Sequence, residues 1–252
     1  MVKGRWQLRT WRAEVIRRLA HPGRGFTQGL IADGTAVWES TGRYGYSALC
    51  RYELGASQIE QRAALPPELF AEGICRSGDV IWQLTWRERV ALAWDARTLE
   101  PVEQVPYHRE GWGMCAADGY ILTSDGSSEL VRRDARALSP QAVLHVRSEG
   151  RRVQGLNELA WSAATIWANV AGTPYLAGID PDSGEVTDAV NARPARERHL
   201  GDPQAIMNGI AALPEPGEFL LTGKGWRWIR HVRLKPAREG ASRRGLLAGL
   251  SH

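Results

Sequence analysis

Two side chains of chemical use sit at the two ends of one predicted hairpin. Phe70-Ala71-Glu72-Gly73-Ile74 is followed at a fixed distance by Gln83-Leu84-Thr85-Trp86, which sets a carboxylate against an indole. Similar segment pairs recur along the chain. Taking the apolar residue that closes each first segment as reference (Leu30, Ile74, Met114, Leu159, Ile210), the position two before it holds Gln28, Glu72, Trp112, Asn157 and Asn208. Twelve residues after the reference come Gly42, Trp86, Gly126 and Ala171. Lys224 joins them if the turn Leu213-Pro214-Glu215-Pro216-Gly217 carries two extra residues. If equivalent slots face one axis, the two columns build a polar pocket walled by indoles, and binding pockets commonly combine apolar walls with a few convergent polar groups.

The elements that must hold these side chains are short alternating strands bounded by Gly, Asp, Pro and Ser turns, with no long segment of helical period. Five units follow one another, starting at Phe26, Phe70, Gly111, Leu156 and Met207, each of roughly 40 to 50 residues with about four strands, and such a repeat predicts propeller blades. The fifth unit lacks a fourth strand, because Leu234 is followed by Lys235-Pro236 and a polar tail. An unused strand, Ala13 to Leu19, precedes the first. The expectation is therefore an all-β, five-bladed β-propeller whose last blade is closed by the N-terminal strand, leaving no sheet edge exposed. It forms one domain over residues 1–236, with 237–252 as a flexible basic tail. Trp38, Trp82 and Trp167 share one register and are assigned to packing between blades, and Asp95, Asp134 and Asp180 to blade turns.

Composition narrows the classes. A chain of 252 residues with 43% hydrophobic content can bury a full core. No apolar run is long enough for a membrane span, and 32 basic against 28 acidic residues leave only +4, part of it in Arg238, Arg243 and Arg244 of the tail. Neither a membrane nor a nucleic-acid partner is expected, and the protein is read as a monomer. The start, MVKGRWQLRTWRAEV, lacks a secretory h-region, which points to the cytoplasm or to the trimmed form of a secreted protein. Cys50, Cys75 and Cys115 form no C-x-x-C, and the six histidines show no H-x-x-x-H spacing, so no disulfide, catalytic metal or cofactor is expected. Cys75 and Cys115 each follow a reference residue, where a small buried hydrophobe fits.

The same segments carry a resemblance. FTQGL, ESTGxYGxS (Glu39 to Ser47), FxEGI, QLTW, EGWG (Glu110 to Gly113), SDGSS (Ser124 to Ser128), LNEL, IWANV, MNGIA and TGKxW (Thr222 to Trp226) together resemble the glutamine cyclotransferases of plants and bacteria, from Ala13 to Leu234. The resemblance implies a five-bladed propeller that converts an N-terminal glutamine of a peptide or small molecule into pyroglutamate with release of ammonia, without a catalytic zinc.

Such a site must leave the substrate α-amine unprotonated, stabilise an oxyanion and supply the departing ammonia with a proton; one carboxylate can serve both proton transfers in turn. The resemblance puts that role on Glu72, with Lys224 beside it as the second catalytic group. Burial near Trp86 and Trp112 should raise the Glu72 pKa toward neutrality. Gln28, Asn157 and Lys224 match positions that hydrogen-bond the carboxamide, the backbone carbonyl or the oxyanion. Phe26, Phe70, Trp86 and Trp112 would supply the walls. Asn208 is a further candidate contact, while Glu39 is read as a turn carboxylate accepting backbone N–H groups. One departure stands out: the family's IWANVW reads IWANVA here, so a wall indole becomes Ala171. The alternative reading is a diverged propeller whose widened pocket binds or cyclises a different amine or peptide, or takes a compensating side chain from the loop Arg193 to Gln204.

Overall fold

The computed structural model describes residues 8–197 and 202–237. The expected tail lies outside the described residues except for Ala237, as do the middle of the 193–204 loop and the three tail arginines. The described residues form twenty-two strands. β1 (Arg9–Ala20) is followed by β2 (Thr27–Asp33), β3 (Ala36–Thr41), β4 (Ala48–Glu53) and β5 (Gln61–Ala64), one antiparallel sheet. β6 (Ala71–Ser77), β7 (Val80–Thr85), β8 (Val90–Asp95) and β9 (Pro101–Pro106) make a second. β10 (Met114–Ala117), β11 (Tyr120–Ser124), β12 (Glu129–Asp134) and β13 (Pro140–His145) make a third, and the short β14 (Arg147–Ser148) and β15 (Arg151–Arg152) pair alone. The remaining strands are β16 (Leu156–Ser162), β17 (Thr165–Val170), β18 (Tyr175–Ile179), β19 (Val186–Asn191), β20 (Met207–Ala212), β21 (Glu218–Gly223) and β22 (Trp228–Pro236).

The sheet order corrects the expected five-bladed propeller. The last seven strands do not form two separate blades: with β1 they make one continuous eight-stranded sheet in the order β16-β17-β18-β19-β1-β22-β21-β20. The cause is the length of β1, which has 12 residues where its neighbours β19 and β22 have 6 and 9. It pairs antiparallel with β22 from Trp11 to Ala20, and its N-terminal end, Arg9 to Arg12, pairs parallel with β19. A strand assumed to close one unit therefore also ties that unit to its predecessor. The eight-stranded sheet curls until its two edge strands, β16 and β20, lie against each other, which gives a nearly closed barrel-like sheet beside three four-stranded ones.

The first strands are the part of this architecture that positions chemistry. β2 packs against β6 and β20, β10 against β6 and β16, and β16 against β20. They approach closely because small residues face one another. The Gly73 N–H donates to the Trp112 carbonyl at 2.7 Å, and a Cβ on Gly73 would stand 2.6 Å from the Gly113 Cα. Apolar side chains fill the space between sheets. Trp38, Trp82 and Trp167 are all buried, in three different clusters. Burying about 150–250 Å² of such a side chain contributes roughly 4–6 kcal/mol at about 25 cal/mol per Å². Asp95, Asp134 and Asp180 accept backbone N–H bonds at turns from Thr98, Ala137 and Ser183, each at 2.8 Å, which holds their carboxyls below the usual range.

Candidate functional site

The column containing Glu72 coincides with a row of β-bulges. Between the pairs Ala71↔Thr85 and Ile74↔Gln83 the first strand has one residue more than its partner, so Glu72 and Gly73 together oppose Leu84. The same extra residue occurs at Asn157-Glu158 in β16, at Asn208-Gly209 in β20 and at Gln28 in β2. A bulge breaks the ladder and re-aims a side chain. Sequence alignment alone placed these residues in one slot; the bulge is what turns the slot off the sheet.

Backbone bonds join this column to the second one. The N–H groups of Gly42, Trp86, Ala171 and Lys224 donate to the carbonyls of Phe26, Phe70, Gly155 and Ile206, each two residues before the polar position, at 2.8–3.0 Å. The two columns thus stand side by side in four of the five units.

They enclose a cavity of about 330 Å³. Glu72, Gln28 and Asn157 line it from the bulges, Lys224 and Trp86 from the second column, Phe26, Phe70 and Trp112 as walls. Phe70 is held edge-on to Phe26, with centroids 6.5 Å apart, and tilted 5.6 Å from Trp86. Two residues that the sequence reading did not single out for the site, Arg43 and Gln204, complete the lining. Ala171 is not among the lining residues, and Gln204 comes from the loop named as the source of a compensating side chain.

Glu72 is 6% exposed. Burial pushes its carboxyl well above the ordinary range; the Lys224 ammonium opposes that shift, and Glu88 and Glu110 add to it. The same burial pulls Lys224 below the usual lysine value, against the attraction of Glu72. Lys224 Nζ lies 4.7 Å from the Phe26 ring centre. The carboxyl and the amine are thus shifted toward each other's range, as perturbed groups at functional sites often are.

Gln28 Nε2 donates to Glu72 Oε1 at 3.1 Å. Its own carbonyl oxygen accepts from Asn208 Nδ2 at 2.8 Å, and Asn208 Nδ2 also donates to the Thr27 carbonyl at 3.2 Å. Asn208 is fully buried and does not reach the cavity; it fixes which end of the Gln28 amide faces Glu72. Asn157 lines the cavity with an Oδ1 that accepts no hydrogen bond from the described residues.

Glu39, read from sequence as a turn carboxylate, sits instead in β3 and binds side chains. His21 Nε2 donates to Oε1 and Oε2 at 2.9 and 3.0 Å, the Thr27 hydroxyl to Oε1 at 2.7 Å, and the Tyr52 hydroxyl to Oε2 at 3.0 Å. His21 Nδ1 meets the Trp226 carbonyl at 2.7 Å. Both ring nitrogens face acceptors, so both carry protons. Although burial disfavours the imidazolium, Glu39 raises its pKa above the usual value, and Glu39 in turn falls below its own. This pair anchors the segment that precedes Gln28.

Glu158 went unremarked in the sequence except as part of LNEL. It occupies the slot where the other four units carry Gly29, Gly73, Gly113 and Gly209, and that column was visible one residue before each reference. Fully buried, it accepts the Leu30 N–H at 3.0 Å, and burial drives its carboxyl well above the ordinary range. Among the described residues no group of three or more His, Cys, Asp or Glu side chains could hold a metal ion.

Comparisons with known proteins agree with one another. A family model described as glutamine cyclotransferase matches residues 3–234. The glutaminyl-peptide cyclotransferase of Arabidopsis thaliana is 30% identical over 231 residues, which span 89% of this chain and 72% of that protein. The crystal structure of Myxococcus xanthus glutaminyl cyclase superposes with a TM-score of 0.85 at 30% identity, covering 92% of this chain and all of that one.

Proposed function

Since the chain belongs to the glutamine cyclotransferase family, we propose that it is a glutaminyl-peptide cyclotransferase in which Glu72 shuttles the proton. The activity itself is supported by three concordant likenesses, in family, in a curated relative and in a solved structure. The substrate's α-amine nitrogen attacks its own side-chain carboxamide carbon and a five-membered ring closes. Glu72, as carboxylate, takes one proton from the attacking nitrogen. It then delivers that proton to the amide nitrogen as the C–N bond breaks, and ammonia leaves. Atoms and charge balance without a redox partner, and no metal is assigned a step.

The observation that carries this reading is the buried Glu72 set among aromatic walls with Lys224 and Gln28 beside it. A carboxyl with raised proton affinity suits both halves of the transfer, since efficiency is greatest when the group's pKa lies near the working pH. In this reading Lys224 stabilises the oxyanion, and Asn157, which lines the cavity, hydrogen-bonds the substrate. Because the reaction is intramolecular, holding the reactive conformer between Phe26, Phe70, Trp86 and Trp112 supplies much of the remaining advantage.

Incubation with a Gln-initiated dipeptide amide should release one ammonia per molecule consumed. Glu72→Gln should keep the melting temperature and lower kcat by about 10²–10⁴-fold, the usual worth of a general acid–base group. Turnover like wild type in that variant would refute the assignment.

A further inference from the structure

The substrate cavity does not end at its aromatic wall. Phe26 and Arg43 line it on one side and, on the other, line a second, larger hollow of about 460 Å³. Two further arginines, Arg24 and Arg62, stand in the lining of this hollow with Tyr46 and Ile59. One carboxylate, Glu39, also borders it. That carboxylate is 1% exposed, and both its oxygens are already taken by His21, Thr27 and Tyr52, so it does not neutralise the groove.

Some arginines of the molecule are paired with carboxylates, and among the described residues the three of the groove are not. Arg9, Arg51, Arg76, Arg87, Arg109 and Arg233 each meet an aspartate or glutamate. Arg24, Arg43 and Arg62 form no ion pair with any carboxylate among the described residues, although all three are exposed. Two glutamates whose charges act on Glu72 have contacts of their own. Glu88 accepts from the Tyr44 hydroxyl and the Phe70 N–H, and Glu110 from Arg87 and from the Trp86 and Trp112 indoles. Glu110 is paired with Arg87, whereas the neutral donors on Glu88 leave its charge in place, so the three arginines stand against one glutamate and keep this rim net positive.

Arg43 is also held where it is. Its N–H donates to Ser47 Oγ at 3.0 Å, its carbonyl accepts the same hydroxyl at 2.9 Å, and its guanidinium carbon lies 4.8 Å from the Phe26 ring centre. Arg62 donates to the Tyr46 carbonyl at 3.1 Å. Arg24 sits at φ 46°, a left-handed conformation uncommon for a residue with a long side chain. With the glutamine side chain in the inner cavity and its carbonyl directed outward, the residues that follow must leave past one part of the rim.

Building on the glutaminyl cyclase reading, we propose that the groove of Arg24, Arg43 and Arg62 binds the peptide segment following the N-terminal glutamine, and that this segment is acidic. Arg43, shared by both hollows, meets the residue next to the glutamine; Arg24 and Arg62 meet those beyond it. Guanidinium groups without a carboxylate of their own take carboxylates in bidentate fashion.

The test compares kcat/KM for three amidated tetrapeptides, Gln-Glu-Glu-Ala, Gln-Ala-Ala-Ala and Gln-Lys-Lys-Ala, by ammonia release. Wild type should favour the acidic peptide over the neutral one by about tenfold, the scale of solvent-exposed charge pairs acting together, and the advantage should shrink in about 0.5 M salt. In the triple variant Arg24→Gln, Arg43→Gln, Arg62→Gln the ratio should fall below about twofold, while Arg43→Lys alone should keep part of it. Equal rates on all three peptides in wild type, or an acidic preference that survives the triple substitution, would overturn the groove while leaving the cyclase reading intact. Ammonia from none of the three would overturn the cyclase reading, and the groove with it.

Discussion

Asn208 does not line the cavity, yet its replacement should move the pH profile of the reaction. Its Nδ2 holds the Gln28 oxygen at 2.8 Å, which turns the Gln28 NH₂ toward Glu72 Oε1 at 3.1 Å. That donation favours the ionised carboxylate and so counteracts the burial that raises the Glu72 pKa. Asn208→Asp preserves size but, once ionised, can only accept. Gln28 would then flip, donate to residue 208 and present its oxygen to Glu72, which must be protonated to bond it. Losing a hydrogen bond to a charged acceptor is worth about 1.5–3 kcal/mol, which corresponds to about one to two pH units at 1.36 kcal/mol per unit. The assay is kcat/KM for a Gln dipeptide amide across pH in wild type, Asn208→Asp and Asn208→Ala. Substrate ammonium contributes the same limb to all three, so differences between them report Glu72. The acid limb should move up by one to two units in the Asp variant and by less in the Ala variant, where Gln28 is free to turn either way. Both should also melt lower, since the buried Thr27 carbonyl loses its side-chain donor in each, at about 1–3 kcal/mol. A reduced melting temperature with an unmoved acid limb would show that Asn208 only supports the fold and would refute the chain of amides.

Two further outcomes follow from packing and charge. In Gly113→Ala the new Cβ would lie 2.5 Å from the Glu158 Cα and against the Asn157 carbonyl, all backbone that cannot rotate away. Overpacking of this kind costs about 1–3 kcal/mol or more; a denaturation midpoint equal to wild type would contradict it, and activity should fall further than stability because Asn157 is displaced. The His21–Glu39 pair sets a window for stability. His21, raised above 6.5 in the fold, contributes fully below pH 6.5 and loses its contribution as pH rises through the raised value; Glu39, lowered below 4.5, contributes above pH 4.5 and loses it as pH falls through the depressed value. His21→Gln should therefore flatten the pH dependence of the unfolding free energy on both flanks, and an unchanged dependence would rule out a charged pair.

Much of the site was legible because spacing encodes it. Counting from five apolar residues found Glu72, Gln28, Asn157 and Asn208 in one column, and backbone bonds place Trp86 and Lys224 in the neighbouring one. What counting missed has physical reasons. A bulge adds a residue to one strand without leaving any mark on the spacing within it, so the turn of Glu72 off the sheet was invisible. The parallel pairing of Arg9–Arg12 with β19 rests on backbone bonds over four residues, two of them arginines, and shows no periodicity. That is why the two final units looked separate and the expected architecture failed there. Glu158 was hidden by attention to polar slots, since its significance comes from interrupting a column of glycines. Arg43 stood at a variable position of ESTGxYGxS, where chemistry depends on its neighbours rather than on its motif.

The bridging role of β1 also governs the order in which this protein can be completed during synthesis. Both partners of the first strand are made late, and His21, at its end, waits for a carbonyl 205 residues further on. At the ribosome's pace of about 5–20 residues per second, the N-terminal strand spends roughly 10–40 s without its partners. Three sheets can form behind it in that time. The eight-stranded sheet cannot, and a chain that stops short of β22 leaves β1 and β21 each without a neighbour along one side. The residues of β1 are thus made long before their partners and are among the last to find their place, which makes chain termination near residue 228 damaging to the whole eight-stranded sheet.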